Sequence, residues 1–220
     1  RSLRTRLALD LTETGSAIVF FKKCGGSARA VDPECDDSAQ AVPQTLAGVW
    51  SVSFAYHRLP HRRHLPTPRV MTELSDWTAS ADPDLKYFSG TATYKTVFSV
   101  ADPKGFARLS LGELPSGVAH VFVNGTDCGT VWCAPWTVEI PKGTLRRGNN
   151  GLAIHYTNNW VNRLIGDCQL EPEDRVTTNG LQYLKGGRVK SDGKKLNPYS
   201  GYCSEDPLQP SGLLGPVRLL

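Results

Sequence analysis

Residues 119–125 constrain the fold more tightly than any other stretch of the chain. Ala119, Val121 and Val123 alternate with His120, Phe122 and Asn124, and a period of two puts one row of side chains on a buried face and the other on a solvated one. Asn124-Gly125 closes the run, and this pair tolerates the left-handed backbone that a two-residue hairpin turn demands. A strand that reverses within two residues must pair antiparallel with the strand after it. Strand signals recur at 49–56, 90–100, 107–111, 130–132, 136–140 and 152–156, punctuated by many of the 21 glycines and 15 prolines. No stretch keeps a helical period. Short strands at this spacing predict an all-β fold, an antiparallel β-sandwich, with the jelly roll as its commonest carbohydrate-associated form.

Domain boundaries are marked by changes in texture. Residues 7–11 and 16–21 are β-like runs separated by Thr-Glu-Thr-Gly, so residues 1–24 read as the terminal β-hairpin remnant of a preceding domain. Residues 25–47 are rich in Gly, Ala, Asp and Pro without periodicity, which suits a linker. The sandwich is assigned to residues 48–220. Within it, 169–210 form a polar excursion rich in Gly, Lys and Pro, and the apolar stretch 211–220 returns as a closing edge strand. The chain opens on Arg1 with neither Met nor a signal peptide, and it reads as a fragment or processed product whose preceding part holds the chemistry.

The net charge of +4 is scattered apart from a basic cluster at 57–69. No nucleic-acid motif accompanies it, so no nucleic-acid partner is expected. No apolar run reaches the length of a membrane span, and no membrane partner is expected either. The six cysteines, Cys24, Cys35, Cys128, Cys133, Cys168 and Cys203, include no CxxC pair. An even count without that motif favours disulfides in an oxidising, extracellular setting over zinc. Near-neighbour pairing would join Cys24 to Cys35, Cys128 to Cys133 and Cys168 to Cys203; buried free thiols are the alternative.

Sugar recognition needs an aromatic face for the pyranose ring and polar groups for paired hydroxyls. Asn158, Trp160, Asn162, Arg163 and Asp167 form the densest such cluster and come directly after a strand, where a rigid scaffold presents a functional loop. In the competing reading, Arg163 and Asp167 pair with each other and with backbone, fixing the loop or docking it on another domain. Trp132 and Trp136 flank Cys133-Ala-Pro135 and would share one side of an extended segment as a platform for sugar; capping the sandwich core is the other role open to them. Glycoside hydrolysis needs two carboxyl groups across the scissile bond. Glu73, Asp76, Glu113, Glu139, Asp167 and Glu171 sit mostly at strand ends and loops, so no catalytic pair is assigned. His57, His61 and His64 have spacings that invite a metal, but Pro60 and Pro66 disfavour a helix there, and a basic surface loop accounts for them better. Asn124-Gly-Thr126 is a glycosylation sequon whose place in a tight turn is sufficient explanation.

Taken in order, Leu74-Ser-Asp-Trp-Thr78, Lys86-Tyr-Phe-Ser-Gly-Thr-Ala-Thr-Tyr94, Leu109-Ser-Leu-Gly-Glu-Leu114, Val118-Ala-His-Val-Phe-Val-Asn-Gly125, Gly129-Thr-Val-Trp132, Asn158-Asn-Trp-Val-Asn-Arg-Leu-Ile-Gly-Asp167 and Ser211-Gly-Leu-Leu-Gly-Pro-Val217 resemble the galactose-binding-like domain near the end of family 106 α-L-rhamnosidases. They cover most of residues 48–220. A looser pattern is similar to the sugar-binding jelly roll of family 2 glycosidases. Cys128 and Cys133 depart from the family's pattern, which weakens any sugar contact assigned to that hairpin. The resemblance implies a galactose-binding-like jelly roll serving a secreted α-L-rhamnosidase-like hydrolase. The catalytic carboxylates would lie in an upstream barrel, its partner, and the chain alone would not be catalytic. It also implies a rhamnose-containing or other glycan as ligand. The family's calcium would be met mainly by the barrel, with a structural calcium in the jelly roll left open and no motif marking it. A free-standing lectin-like carbohydrate-binding module is the rival.

Overall fold

In β2 (Trp50–Ala55), Trp50, Val52 and Phe54 are buried while Ser51, Ser53 and Ala55 face solvent, the period of two expected of a strand with one wet face. The computed structural model describes residues 42–56, 64–171, 174–177 and 201–220. The predicted hairpin at 1–24 lies outside the described residues. So does the linker assignment up to residue 41; its last part contains a strand, β1 (Gln44–Thr45).

The remaining strands are β3 (Arg69–Met71), β4 (Thr91–Val100), β5 (Arg108–Ser110), β6 (Gly117–Val123), β7 (Thr126–Val131), β8 (Thr137–Glu139), β9 (Gly148–Asn158) and β10 (Arg218–Leu219). They form two antiparallel sheets, one in the order β3-β2-β4-β9-β6-β7 and the other β1-β10-β5-β8. The fold is an all-β sandwich. Its longest ladder joins β4 to β9 from Thr91↔Thr157 to Val100↔Gly148.

Asn124 and Gly125 connect β6 to β7 with φ of 51° and 80°, the conformation that two-residue hairpins select. The Asn124 amide also donates to the Thr144 carbonyl and to Asn150 Oδ1, both at 2.8 Å, and accepts from the Gly151 N–H at 2.9 Å. Its side chain is thus fully engaged in folding, in keeping with a turn role for the sequon.

Trp77 sits at the centre of the core, 1 % exposed. It stacks on Tyr94 at 6.4 Å and meets Phe54, Phe88 and Tyr156 edge-on at 5.4 to 5.7 Å, geometries that aromatic quadrupoles favour. Against its indole lies Gly212, at φ 105°, where an added Cβ would come within 2.7 Å of Trp77 Nε1. Only glycine fits there.

The C-terminal strand is shorter than predicted and is not at an edge: β10 lies between β1 and β5, with Leu219 opposite Leu109 and Gln44. The residues before it run into the core, where Leu213 and Val217 are buried, and an isolated bridge joins Gly215 to Gly112. Leu219 is fully enclosed, and Leu219→Ala is expected to cost about 2–5 kcal/mol through lost burial and the cavity left behind. A urea melt should show the midpoint fall with an unchanged slope; an unshifted midpoint would remove β10 from the core.

Candidate functional site

The segment after β9, predicted as a loop, forms the helix α2 (Val161–Asp167), the second after the one-turn α1 (Pro83–Lys86). Asn159 starts it, its side-chain oxygen accepting from the Val161 N–H at 3.1 Å, the local bond by which Asn favours helix entry. Asn162, Arg163, Ile165, Gly166 and Asp167 are buried. A helix whose buried face is mostly polar carries no hydrophobic period, which is why sequence reading missed it.

The amides of Asn158 and Asn162 are satisfied inside the protein. Asn158 accepts from the Gly90 N–H at 2.8 Å and donates to the Phe88 carbonyl at 2.9 Å. Asn162 donates to the Gln209 carbonyl at 2.7 Å and accepts from the Gln209 N–H at 2.8 Å, imitating a strand partner. Both amides also reach Ser211 Oγ, at 3.3 and 3.0 Å.

Arg163 and Asp167 lie one turn apart, with Nε and Oδ1 2.9 Å apart and side chains 3 % and 5 % exposed. The contact is an ion pair rather than an aligned hydrogen bond, and neither atom has another hydrogen-bond partner. Asp167 Oδ2 instead accepts from the Thr177 N–H at 2.7 Å and hydroxyl at 2.6 Å. The Arg163 N–H donates to Ser89 Oγ at 3.2 Å, and its guanidinium lies 5.9 Å over the Tyr87 ring. A Cβ at Gly166 would lie 2.6 Å from Arg163 Nη2 and 2.7 Å from Tyr87, so the helix packs directly against this pair. Arg163 and Asp167 therefore pair with each other inside the sandwich.

Above this pair, Tyr56 stacks on Trp160 with rings 6.4 Å apart and nearly parallel, and its hydroxyl donates to the His64 carbonyl at 2.7 Å. Burial pushes the Tyr56 phenol up to about 12, against an opposing pull from the Arg163 charge. Trp160 is 38 % exposed, leaving part of its ring on the surface.

The two other tryptophans do not share an extended segment. Residues 133–136 turn, with the Trp136 N–H on the Cys133 carbonyl at 3.1 Å and Trp136 at φ 58°. Trp136 packs partly against the core, the capping role, whereas Trp132 is 69 % exposed. Same-side counting fails at this turn.

The predicted disulfides at Cys128–Cys133 and Cys168–Cys203 are absent: all four are thiols. Cys128 lies within β7, whereas Cys133 lies past that strand's end at Val131 and opens the turn closed by the Trp136 N–H. Cys168 Sγ instead lies 3.1 Å from the Leu164 carbonyl and 3.3 Å from the Tyr202 carbonyl, a shared S–H contact that sets Tyr202 against the end of the helix. Cys24 and Cys35 lie outside the described residues.

Of the carboxylates read from the sequence, Glu73, Glu113, Glu139 and Glu171 are exposed. Asp76 accepts from the Thr78 and Ser211 N–H groups at 2.9 and 3.0 Å. His64 pairs with Asp84 at 2.9 Å, while His57 and His61 lie outside the described residues. Among the described residues, no group of three or more His, Cys, Asp or Glu side chains could hold a metal ion, and no helix is long and apolar enough to cross a membrane.

Sequence reasoning missed Ser211, Gln209, Tyr56 and Tyr87, which complete the α2 site. Serine, glutamine and tyrosine far along the chain give no local signal. It also passed over an aromatic group on the outer sheet face, where Phe122 lies 4.6 Å from His120 and 5.2 Å from His155. There His120 bonds Asp127 at 2.8 Å and, with the Gly129 N–H, holds that carboxyl below its usual range.

No protein-family model matches the chain. A rhamnosidase structure from Novosphingobium sp. PP1Y is similar, at 36 % identity and a TM-score of 0.62 over 82 % of this chain and 15 % of that one. A curated relative from Formosa agariphila, named "Putative beta-glucuronidase", is 32 % identical over 195 residues, 83 % of this chain and 16 % of its own. A β-glucuronidase structure from Ruminococcus gnavus aligns with 80 % of this chain and 28 % of its own at 18 % identity and a TM-score of 0.45. The chain thus spans about one sixth of the rhamnosidase and of the curated relative.

The buried site carries two expected outcomes. Arg163→Ala strands the Asp167 carboxylate and should lower stability by about 3–5 kcal/mol in this chain alone; a urea midpoint at the wild-type value would mean that the pair is not buried. For Tyr56, folding favours the neutral phenol. Stability is therefore unaffected below pH 10 and declines from there toward about 12, as the unfolded chain releases a proton that the folded one keeps. Tyr56→Phe should lose part of this alkaline decline, compared with wild type by urea midpoints at pH 9 and 11.

Proposed function

We propose that this chain is the accessory β-sandwich of a glycoside hydrolase resembling the family 106 α-L-rhamnosidases, a galactose-binding-like jelly roll that braces an upstream catalytic barrel. The likeness to a rhamnosidase structure and to a curated glycosidase relative supports a glycosidase-associated domain. The observation that carries the accessory role is the condition of the α2 site. Its two amides, guanidinium and carboxylate are the groups best suited to sugar hydroxyls, and all four are buried and engaged with the fold.

In this reading the parent hydrolyses an α-L-rhamnosyl linkage with water as nucleophile, and its acid and base belong to the barrel. Residues 48–220, extended upstream to β1, form the accessory domain. An extracellular setting belongs to the same proposal and rests on the resemblance. Trp160 and Trp132 keep exposed ring surface and are the groups offered to a barrel or a glycan. The partial exposure of Trp160, backed by Tyr56, also favours a second reading as a free-standing lectin-like module, because a stacked indole is a ready platform for a pyranose ring.

The chain alone should not turn over an aryl α-L-rhamnoside; reproducible turnover lost in Glu113→Gln would overturn the accessory role. Calorimetry with rhamnose-containing oligosaccharides separates the two readings. Heats of binding that vanish in Trp160→Ala without a change in melting temperature would favour the lectin. No binding by the isolated chain, with a full-length enzyme that melts earlier in Trp160→Ala, would favour the brace.

A further inference from the structure

We propose that a groove between two Pro-Lys-Gly turns binds an acidic saccharide, with two lysines taking the carboxylate of a uronic acid unit; the inference rests on the carbohydrate-associated reading above and names a ligand class for it. The turns are Pro103-Lys-Gly105, after β4, and Pro141-Lys-Gly143, after β8. Both glycines are left-handed, at φ 87° and 83°, so each turn presents its lysine at the apex. In the second, the Thr144 N–H closes the turn on the Pro141 carbonyl at 3.1 Å.

The two segments enclose a groove of about 640 Å³, within the range of small-ligand sites. They are tied at its base, where the Ile140 N–H donates to the Ala107 carbonyl at 2.7 Å. This bond holds the two turns beside one another. Phe106 and Leu145 line the groove and pack from beneath on the hydrophobic core, which gives a fixed apolar floor.

Lys104 and Lys142 are the charged side chains that line the groove, and both are exposed. Asp102 stands next to the first turn, but its carboxylate accepts from the Lys104 N–H at 3.0 Å. Two ammonium groups over a partly aromatic floor complement a ring that is apolar on its face and anionic at its edge. A neutral sugar leaves both charges unanswered. A simple anion leaves the floor unused.

The test is calorimetry of the full chain with tetragalacturonate as probe, together with its methyl-ester form and a polyglutamate peptide of equal charge. Tetragalacturonate should bind, with affinity lowered at least about tenfold in a Lys104→Ala/Lys142→Ala double variant, a loss of about 1.4 kcal/mol. Phe106→Ala should weaken it while the esterified sugar binds poorly, and Lys95→Ala, on the outer sheet face, should leave it unchanged. Amide shifts at Gly105 and Gly143 would place the ligand between the turns. No binding of tetragalacturonate, equal binding by the double variant, or equal affinity for polyglutamate would each overturn the assignment. The wider reading fails separately: it falls if the chain itself turns over rhamnoside, whatever this groove does.

Discussion

Ser211 is where the sandwich is fastened. Its N–H donates to Asp76 Oδ1 at 3.0 Å, its carbonyl accepts from the Trp77 N–H at 2.9 Å, and its hydroxyl lies 3.0 to 3.3 Å from Asn158, Asn162 and Ser116. Three segments, 76–77, 116 and 158–162, thereby grip one residue that is 2 % exposed. In a buried position an unmade hydrogen bond costs about 1–3 kcal/mol, so this arrangement holds only when every partner is in place. The consequence is positional. With Ser211 held, Gly212 passes under Trp77, Leu213 enters the core, and β10 arrives between β1 and β5.

How much of this was legible in the sequence depended on whether a strand is long enough, and wet enough on one face, to show its period. β4, β6 and β9 have ten, seven and eleven residues and alternate visibly, so their existence could be read from pattern. β1, β3 and β10 have two or three residues, and no period can be read from so few. β7 began earlier than predicted because Thr126, Asp127 and Gly129 carry no apolar row. Its pairing is instead imposed by the Asn124-Gly125 turn and by β6 alongside.

The site was legible in a different sense. Composition picked out Asn158, Asn162, Arg163 and Asp167 as conspicuous, and they are, but a dense group of hydrogen-bonding side chains reads the same whether it meets a sugar or the protein's own backbone. Burial decides between these, and burial is set by residues 47 to 53 positions away that join only when the sheets close. The Arg163–Asp167 pair sharpens the point. A guanidinium and a carboxylate removed from water are costly unless they find each other and further donors, so the helix register that places them four apart is also what makes burial tolerable. Nothing in a linear reading distinguishes such a pair from an exposed one.

The two ends of the sandwich have opposite characters. β4 leaves the α2 end at Thr91, whose neighbour Gly90 is bound by Asn158, and reaches Val100 before the first lysine turn. Ten strand residues, roughly 33 Å, separate them. At the α2 end, Asn162, Arg163 and Asp167 face inward, and Trp160 leaves part of its ring outside. At the other, charged side chains stand free over an apolar floor. Surface that has already satisfied its hydrogen bonds is suited to a fixed neighbour, because docking then disturbs no network and buries mainly ring area. Surface with unanswered charge is suited to a ligand that comes and goes, since its attraction is long-ranged and is weakened by salt. Under the proposed function the α2 end therefore faces the barrel and the lysine end faces the glycan. One sandwich can serve both only because the rigid β4–β9 ladder keeps the two chemistries apart.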